Sequence, residues 1–351
     1  MKDLMRKLLW KYYYRYKPLS DVDVEGRYSP SQKALMFLNI TKVNLFGEYL
    51  TPERLKDKVE MSPERISEII YNTLHRDEPC MIARFGANEQ RIVANYLSII
   101  SPDKSYIKAI IGHVPFWWWN KMVRKEFNSN AGFFPNESAC LEKYAQRMIE
   151  DTKELDVLLT WFGWEPLLLK NIKNIELVGL QEAEPWWQPS PWTHYLKGKK
   201  VLVVHPFDEL IESQYKNRDK LFANKDVLPD FELKTLKAVQ SIGGHVEGFE
   251  TWFDALKWME DEMDKIDYDI ALIGCGAYGF CLAAHAKRSG KQAVHLGGVL
   301  QLLFGIKGNR WENKDYHPVF DYTKLFNEYW VRPGQVLRPD NAEQYEGACY
   351  W

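Results

Sequence analysis

The stretch Asp269-Ile-Ala-Leu-Ile-Gly-Cys-Gly-Ala-Tyr-Gly279 decides the fold, because a short apolar run leads directly into a Gly-x-Gly-x-x-Gly turn. An apolar helical pattern follows, so the stretch predicts a strand, a tight turn and a helix. Gly274, Gly276 and Gly279 let the backbone approach a ligand closely, and the N-terminus of the helix offers unpaired N–H groups and a positive dipole end. With Tyr278 in the same turn, we predict a diphosphate-binding element here.

Two other interpretations of this motif remain open. A Gly-x-Gly-x-x-Gly turn is typical of dinucleotide-binding folds, but the next predicted strand, about 293–296, ends without an acidic residue for a ribose diol. The motif also lies late in the chain, which favours a nucleoside diphosphate over NAD(P). In the second alternative, the glycines only allow the helix to pack tightly on the strand.

Strand and helix patterns alternate from about residue 61 onward, which predicts an α/β protein with a Rossmann-like, mostly parallel sheet flanked by helices. The predicted strands are about 81–85, 106–111, 157–160, 175–180, 201–204, 245–249, 270–273 and 293–296. The predicted helices are about 62–75, 87–99, 137–153, 207–222, 231–241, 252–265, 277–289 and 298–304. We expect a basic, aromatic helical arm within 1–60, an α/β domain over 61–330 and an extended C-terminal tail over 331–351.

The composition excludes several classes of protein. Of the 351 residues, 46% are hydrophobic and 27% charged, which is typical of a globular chain rather than a disordered or disulfide-scaffold one. Lys plus Arg number 46 and Asp plus Glu 48, so no global positive field favours nucleic acid as a partner. Five scattered cysteines indicate buried thiols. We find no apolar run of about 18 residues and no signal peptide, and therefore expect a cytoplasmic protein.

Positive charge is concentrated in residues 1–17, where six basic side chains accompany one aspartate. Leu4, Leu8 and Tyr12 recur among them at helical spacing, a pattern typical of a helix on an anionic membrane surface. A helix docked on the protein's own body explains the pattern equally well. Peripheral contact with the inner face of the plasma membrane is therefore one of two hypotheses for this segment.

A second glycine turn, Gly297-Gly298, follows the predicted strand 293–296. Gln301 lies in the short predicted helix after it, and Lys307 and Arg310 are close enough in sequence to reach a bound phosphate. In a parallel sheet both glycine turns lie at the carboxyl edge and face one crevice. The alternative for Arg310 is a cation–π pair with the next residue, a tryptophan.

Three side chains near other turns are candidates for acid–base chemistry. Glu89 lies in the first turn of the predicted helix 87–99, close to Arg84, which can hold either a phosphate or the Glu89 carboxylate in a structural ion pair. His205 follows the predicted strand 201–204, although a histidine at a strand end is commonly a core residue. Glu165 follows two tryptophans whose flat faces suit a sugar.

The run Arg84-Phe-Gly-Ala-Asn-Glu89 resembles the Arg-Phe-Gly-Asp-Gly-Glu turn of glycosyltransferases of the GT-D fold, bacterial enzymes that transfer sugars from nucleotide-sugar donors in surface-glycan assembly. Further stretches, to about residue 312, resemble a bacterial group associated with polysaccharide loci. The resemblance implies a donor site that includes Arg84, Gly86 and Asn88. In the family an Asp-x-Glu pair serves the diphosphate through a divalent metal. Here Ala87 replaces the aspartate and only Glu89 carries over, so we expect a weakened or absent need for manganese or magnesium.

These features together predict a glycosyltransferase that moves a sugar from a nucleotide-diphosphate donor, expected to be a UDP-sugar, to a bacterial surface glycan or lipid-linked acceptor. Glu89, Glu165 and His205 are the candidate catalytic residues. Two rival functions remain open. One is a non-catalytic glycan- or nucleotide-binding protein of the same fold, and the other is an enzyme dependent on NAD(P) or S-adenosylmethionine.

Overall fold

A computed structural model describes residues 28–46, 58–161, 163–170, 172, 174–241, 248–334, 337–338, 342 and 348–351. The helix predicted within residues 1–17 lies outside this described part. The described residues form a seven-stranded, all-parallel sheet with the order β3-β2-β1-β7-β6-β4-β5. The strands are β1 (Cys80–Ala83), β2 (Val157–Thr160), β3 (Glu176–Gly179), β4 (Lys200–His205), β5 (Glu232–Lys237), β6 (Ile270–Ile273) and β7 (Gln292–His295). The predicted α/β class and parallel sheet are confirmed.

Helices cover both faces of this sheet. In chain order they are α1 (Pro30–Phe46), α2 (Pro63–Leu74), α3 (Ala87–Ile100), α4 (Tyr106–Ile110), α5 (Lys121–Ala131), α6 (Ser138–Asp151), α7 (Glu165–Leu168), α8 (Asp208–Tyr215), α9 (Arg218–Leu221), α10 (Trp252–Asp264), α11 (Gly279–Arg288), α12 (Leu300–Leu303) and α13 (Asn309–Glu312). No helix among the described residues is long and apolar enough to cross a membrane.

The core consists of two apolar layers, one on each face of the sheet. Along β4, Val201 and Val203 pack into one layer while Leu202 and Val204 pack into the other. Side chains alternate because successive residues of a strand point to opposite faces. Since the strands are buried on both faces, they read as continuous apolar runs, as expected of parallel sheets.

Two predicted elements are wrong. Residues 106–111, predicted as a strand, form α4, because the Ser105 hydroxyl accepts a hydrogen bond from the Lys108 amide and caps a helical turn. Residues 231–241, predicted as a helix, contain β5 instead. Leu233 and Leu236 pack into opposite layers of the core, which a strand with a period of two achieves.

Three other predictions need smaller changes. The helix predicted over 207–222 is divided into α8 and α9, and the one over 298–304 is a 3-10 turn followed by α12. The strand predicted over 245–249 falls mostly outside the described residues, and its last two residues, Gly248 and Phe249, are not in a strand.

The order of the strands creates a crevice at the middle of the sheet. The chain adds β2 and β3 on one side of β1, and then builds β4 to β7 on the other side. The direction of winding therefore reverses between the neighbours β1 and β7. In open parallel sheets such a reversal leaves a crevice outside the carboxyl ends of the strands, and ligands bind there.

Candidate functional site

A cavity of about 400 Å³ lies at the carboxyl ends of the four central strands, β1, β7, β6 and β4. It is lined by twelve of the residues predicted from the sequence: Arg84, Gly86, Asn88, Glu89, His205, Gly274, Gly276, Tyr278, Gly297, Gly298, Gln301 and Arg310. The three turns after β1, β6 and β7 thus meet at one cavity, whose volume lies in the range of small-molecule sites. Three predicted residues do not line it, namely Glu165, Gly279 and Lys307.

The turn after β1 brings Glu89 back over the start of its own helix. Gly86 is the N-cap of α3, and Glu89 is the third helical residue. The Glu89 carboxylate lies so close to the Gly86 Cα that any side chain at position 86 would overlap it. A negative charge at this place is favourable, because the N-terminus of a helix carries the positive end of its dipole.

Arg84 is a partly exposed guanidinium in the wall of the cavity. Its Nε donates to the carbonyl of Phe85 (3.2 Å), its guanidinium stacks over the Trp161 ring at 4.7 Å, and it has no salt bridge among the described residues. Burial lowers the pKa of Arg84, and the nearby Tyr350 and Glu89 oppose this shift. A partly desolvated cation with no salt bridge has an electrostatic preference for an anion.

The turn after β7 lies directly against Arg84. Gly297 has φ +69, in the left-handed region where side chains are strained, and a Cβ there would come within 3.2 Å of Arg84 Nη1. Gly298 is covered by the Tyr350 ring, which leaves no room for a side chain. Glycine at both positions therefore allows a guanidinium and an aromatic ring to approach the backbone.

Arg310 forms the second cationic part of the wall. Its Nη1 donates to the Tyr350 hydroxyl (3.2 Å), its Nη2 donates to Cys349 Sγ (3.0 Å), and its guanidinium lies 4.7 Å from the Tyr350 ring. The Trp311 ring is farther away, at 5.9 Å, and Trp311 itself is buried. Lys307, in contrast, pairs with Glu312 at 3.4 Å outside the cavity.

The glycines of the turn after β6 have different roles. Gly276 has φ +56, and a Cβ there would meet the Ala131 carbonyl oxygen only at 3.7 Å, so this glycine provides the left-handed conformation of the turn. At Gly274 a Cβ would lie 2.7 Å from the Gly297 carbonyl oxygen, so this glycine lets the two turns touch. Gly279 lies against the His295 ring. This glycine therefore allows tight packing, which is the second alternative given for the motif in the sequence analysis.

Two further predicted residues of the cavity wall have their polar groups engaged. The Tyr278 hydroxyl hydrogen-bonds Ser241 Oγ at 2.9 Å, and its ring stacks on Trp252. Gln301 Nε2 donates to the carbonyls of Ile306 and Tyr350, each at 3.2 Å. Both side chains therefore hold the wall in shape. The Gln301 Oε1 atom is buried and has no hydrogen bond to any residue that the structure describes.

His205, at the end of β4, is a buried neutral imidazole. Its Nδ1 accepts a hydrogen bond from the Phe207 amide at 3.0 Å, and burial lowers its pKa to about 3. With Nδ1 used as an acceptor, the proton of the neutral ring lies on Nε2. This tautomer can donate a hydrogen bond but cannot take a proton at Nε2, so His205 does not fit the predicted role as a base.

His295, at the end of β7, also lines the cavity and was missed by the sequence analysis. Its Nδ1 donates to the carbonyl of Ile273 at 3.1 Å, which leaves Nε2 as an acceptor. Burial, and secondarily the charge of Arg84, lower the pKa of His295 to about 3. The signal in the sequence is a polar residue directly after Ala293 and Val294, at the end of the strand.

Glu165 is buried and does not line the cavity. One of its oxygens accepts a hydrogen bond from the Thr160 hydroxyl and the other accepts from the Trp161 amide at 3.1 Å. Both oxygens thus hold the turn after β2 in place. We therefore do not assign the catalytic role that the sequence predicted for Glu165.

The donor groups of the cavity do not fit a resident divalent cation. Glu89 provides the one carboxylate among the described lining residues, which also include two arginines. No group of three or more His, Cys, Asp or Glu side chains suited to a metal occurs in the described part of the chain. Magnesium and manganese favour several oxygen ligands, and the guanidinium charges repel a cation.

Several lining residues come from segments that the sequence does not connect with the glycine turns. They are Asn130, Gln181, Ser241, Tyr316, Tyr350 and Trp351. Tyr350 and Trp351 belong to the segment 331–351, predicted as an extended tail. The aromatic content of this segment is its only signal in the sequence.

No family model and no curated protein matches the chain. Two solved structures are similar to it. One is a selenomethionine-substituted structure of domain of unknown function 1792, at 13% identity, and the other, at 14%, is described as this domain having a distinct glycosyltransferase fold. Each match covers 79% of this chain and 96% of the other, with a TM-score of 0.33. Because the TM-score is this low, the α/β assignment rests on the parallel sheet of the chain itself and not on these two structures.

Proposed function

We propose that this chain is a glycosyltransferase that moves a sugar from a nucleoside-diphosphate donor, a UDP-sugar in our proposal, to a surface-glycan or lipid-linked acceptor. One observation carries the proposal. Arg84, a partly buried guanidinium, lies beside the Gly297 backbone at the reversal point of a parallel sheet and has no salt bridge among the described residues. A diphosphate is the anion whose size and charge suit such a position.

Arg310 adds to the positive potential around Arg84. Arg310 is close enough to lower the pKa of Arg84, so two guanidinium groups act on the same space. Like charges held together in a low-dielectric site are unfavourable, and a bound diphosphate relieves the repulsion. The two arginines would thereby replace the metal that other diphosphate sites employ.

In the proposed reaction, an acceptor hydroxyl oxygen forms a bond to the anomeric carbon of the donor sugar. The bond between that carbon and the diphosphate oxygen breaks, and its electron pair leaves with the diphosphate. Arg84 and Arg310 stabilise the negative charge that develops there. Glu89 takes the proton of the acceptor hydroxyl. His205 donates a hydrogen bond from Nε2 to the donor substrate. The aromatic side chains of the wall hold the nucleobase or the sugar of that substrate.

Titration calorimetry with UDP, GDP, CDP and ADP tests this proposal. We expect UDP to bind with or without EDTA, since the arginines supply the positive charge. Arg84→Met should weaken binding about 100-fold, as expected for loss of a charge-assisted bidentate contact. The control is Arg65→Met, which removes an exposed guanidinium that pairs with Glu68 on α2. Absence of binding by all four nucleotides, with and without manganese, would falsify the proposal.

A non-catalytic nucleotide- or glycan-binding protein is the second candidate. The position of Glu89 favours it, because a carboxylate that covers the N-terminus of α3 is explained by helix stabilisation alone. Substitution of Glu89 distinguishes the two candidate functions. An enzyme loses turnover, whereas a binding protein keeps its affinity for its ligand.

A further inference from the structure

An apolar surface with lysines along its edges lies on α1 and on the segment that contains α4. On α1, Leu38 is 49% exposed and Leu45 is 54% exposed, and on α4 Ile107 is 72% exposed. Phe37, Ile100 and Tyr106 are also exposed. Apolar side chains grouped in this way on a soluble domain mark a site of interaction. We call this region the α1–α4 surface.

The α1–α4 surface is continuous because its parts contact one another. The Asn39 side chain of α1 donates to the carbonyls of Ala109 (3.3 Å) and Ile110 (2.8 Å), which fixes α1 against the end of α4. The Tyr106 ring meets the Trp117 ring edge-on at 4.8 Å. These contacts hold α1 and the segment with α4 side by side.

The two segments that carry this surface contain more basic than acidic residues. Residues 28–46 and 100–121 contain five lysines and one aspartate, whereas the whole chain has a net charge of −2. The aspartate, Asp103, is paired with Lys108 at 3.2 Å. With about 100° per residue, Lys33 and Lys42 project from opposite sides of the stripe formed by Ala34, Leu38 and Leu45.

We propose that the α1–α4 surface docks on an anionic phospholipid bilayer. A helix with an apolar stripe and flanking lysines lies in the plane of the membrane interface, where the lysine stems extend to the headgroups. Tyrosine and tryptophan side chains are enriched at the same depth. A protein partner would be expected to offer hydrogen bonds or acidic side chains to this surface, whereas a bilayer needs only apolar insertion and negative charge. The proposal is independent of the nucleotide site.

Vesicle co-sedimentation of the full chain tests the proposal. We expect binding to phosphatidylglycerol-containing vesicles, weaker binding to pure phosphatidylcholine, and a loss of binding as salt rises. The double variant Leu38→Glu/Ile107→Glu should lower the partition coefficient about tenfold or more, because it removes two inserting side chains and adds negative charge. The control is Val319→Glu/Met61→Glu, at two exposed apolar positions outside the α1–α4 surface, and it should bind as the unmodified chain does.

A second readout remains informative if the double variant folds poorly. A polarity-sensitive dye is attached at Ile107→Cys or at Val319→Cys, in a Cys140→Ser background because the other cysteines are buried. Vesicles should shift the emission of the dye at position 107 to the blue and leave the dye at 319 unchanged. The circular dichroism spectrum and the urea midpoint of each variant serve as the check on folding.

Three results would overturn the proposal. The first is equal vesicle binding by the double variant and the unmodified chain, which would assign binding to another segment such as residues 1–27. The second is absence of binding to any vesicle. The third is a change from dimer to monomer in the double variant without vesicle binding, which would make the surface a contact between two copies of the chain.

Discussion

The turns after β1 and β2 lie side by side at the same edge of the sheet, and each places a glutamate in the first turn of a following helix. Their carboxylates have different surroundings. Thr160 and the Trp161 amide satisfy both oxygens of Glu165 in the interior, whereas Glu89 forms part of the cavity wall. The difference arises from the strand neighbours, because β1 borders the reversal point and β2 does not. Similar local motifs thus acquire different roles from their position in the sheet.

The largest expected effect is on turnover and separates the two glutamates directly. Glu89→Gln should lower kcat by about 10²- to 10⁴-fold, as expected for loss of a general base, with UDP affinity unchanged. Glu165→Gln should change kcat by less than about threefold but destabilise the protein by about 1–3 kcal/mol, because it disturbs a buried hydrogen-bonded group. Steady-state kinetics and urea unfolding measure these effects. Equal losses of kcat in both variants would remove the distinction between the turns.

The next effect concerns two basic residues of one segment, Arg310 inside the cavity and Lys307 outside it. Arg310→Gln should weaken UDP binding about 10- to 30-fold, since it removes a charge from the wall. Lys307→Gln should leave the affinity within about twofold, because this lysine pairs with Glu312. Calorimetry measures both affinities. A larger loss for Lys307→Gln than for Arg310→Gln would place the anion beside Lys307 instead of in the cavity.

The next prediction concerns the two cavity histidines and the way the free energy of unfolding depends on pH. His205 and His295 have a pKa of about 3 in the folded chain and about 6.5 when unfolded. The unfolded chain takes up protons that the folded chain does not, so the free energy of unfolding falls as pH drops below about 6.5.

Each cavity histidine should contribute a loss on the order of 2 kcal/mol between pH 7.5 and 5. In His295→Gln the loss between the two pH values should be smaller by this amount than in the unmodified chain. Urea unfolding at the two pH values measures this difference. Equal pH dependence in the variant and the unmodified chain would mean that His295 is already protonated in the folded chain.

The smallest effect compares two glycines. Gly279→Ala would place a methyl group in the His295 ring and should cost about 1–3 kcal/mol of stability. Gly334→Ala has open space around it and should change stability by less than about 0.5 kcal/mol. Thermal unfolding distinguishes the two, and an unperturbed Gly279→Ala would show that the ring can move aside.

The sequence predicted the elements whose signal is local. The sequence predicted the strand and glycine turn at 269–279 and the strand before Gly297, because an apolar run that ends in glycines fits few structures other than a strand followed by a tight turn. The segments 106–111 and 231–241 were assigned wrongly, because a short apolar or mixed run fits both periods until its packing partners are known.

The site was predicted only where glycine turns or charged residues mark it. Arg84 and Arg310 stand out beside their turns, but the engaged oxygens of Glu165 and the tautomers of the two histidines depend on contacts between distant residues. Tyr350 reaches Gly298 and Arg310 from the C-terminal segment. Such a contact has no periodicity or spacing in the sequence that could reveal it.

A crystal structure of the chain with bound UDP tests the central claim most directly. The account predicts that the diphosphate lies between the Arg84 guanidinium and the Gly297-Gly298 turn, with Arg310 on its other side and no metal ion required. Ordered UDP elsewhere on the molecule, or a diphosphate in this cavity that contacts neither arginine, would contradict it.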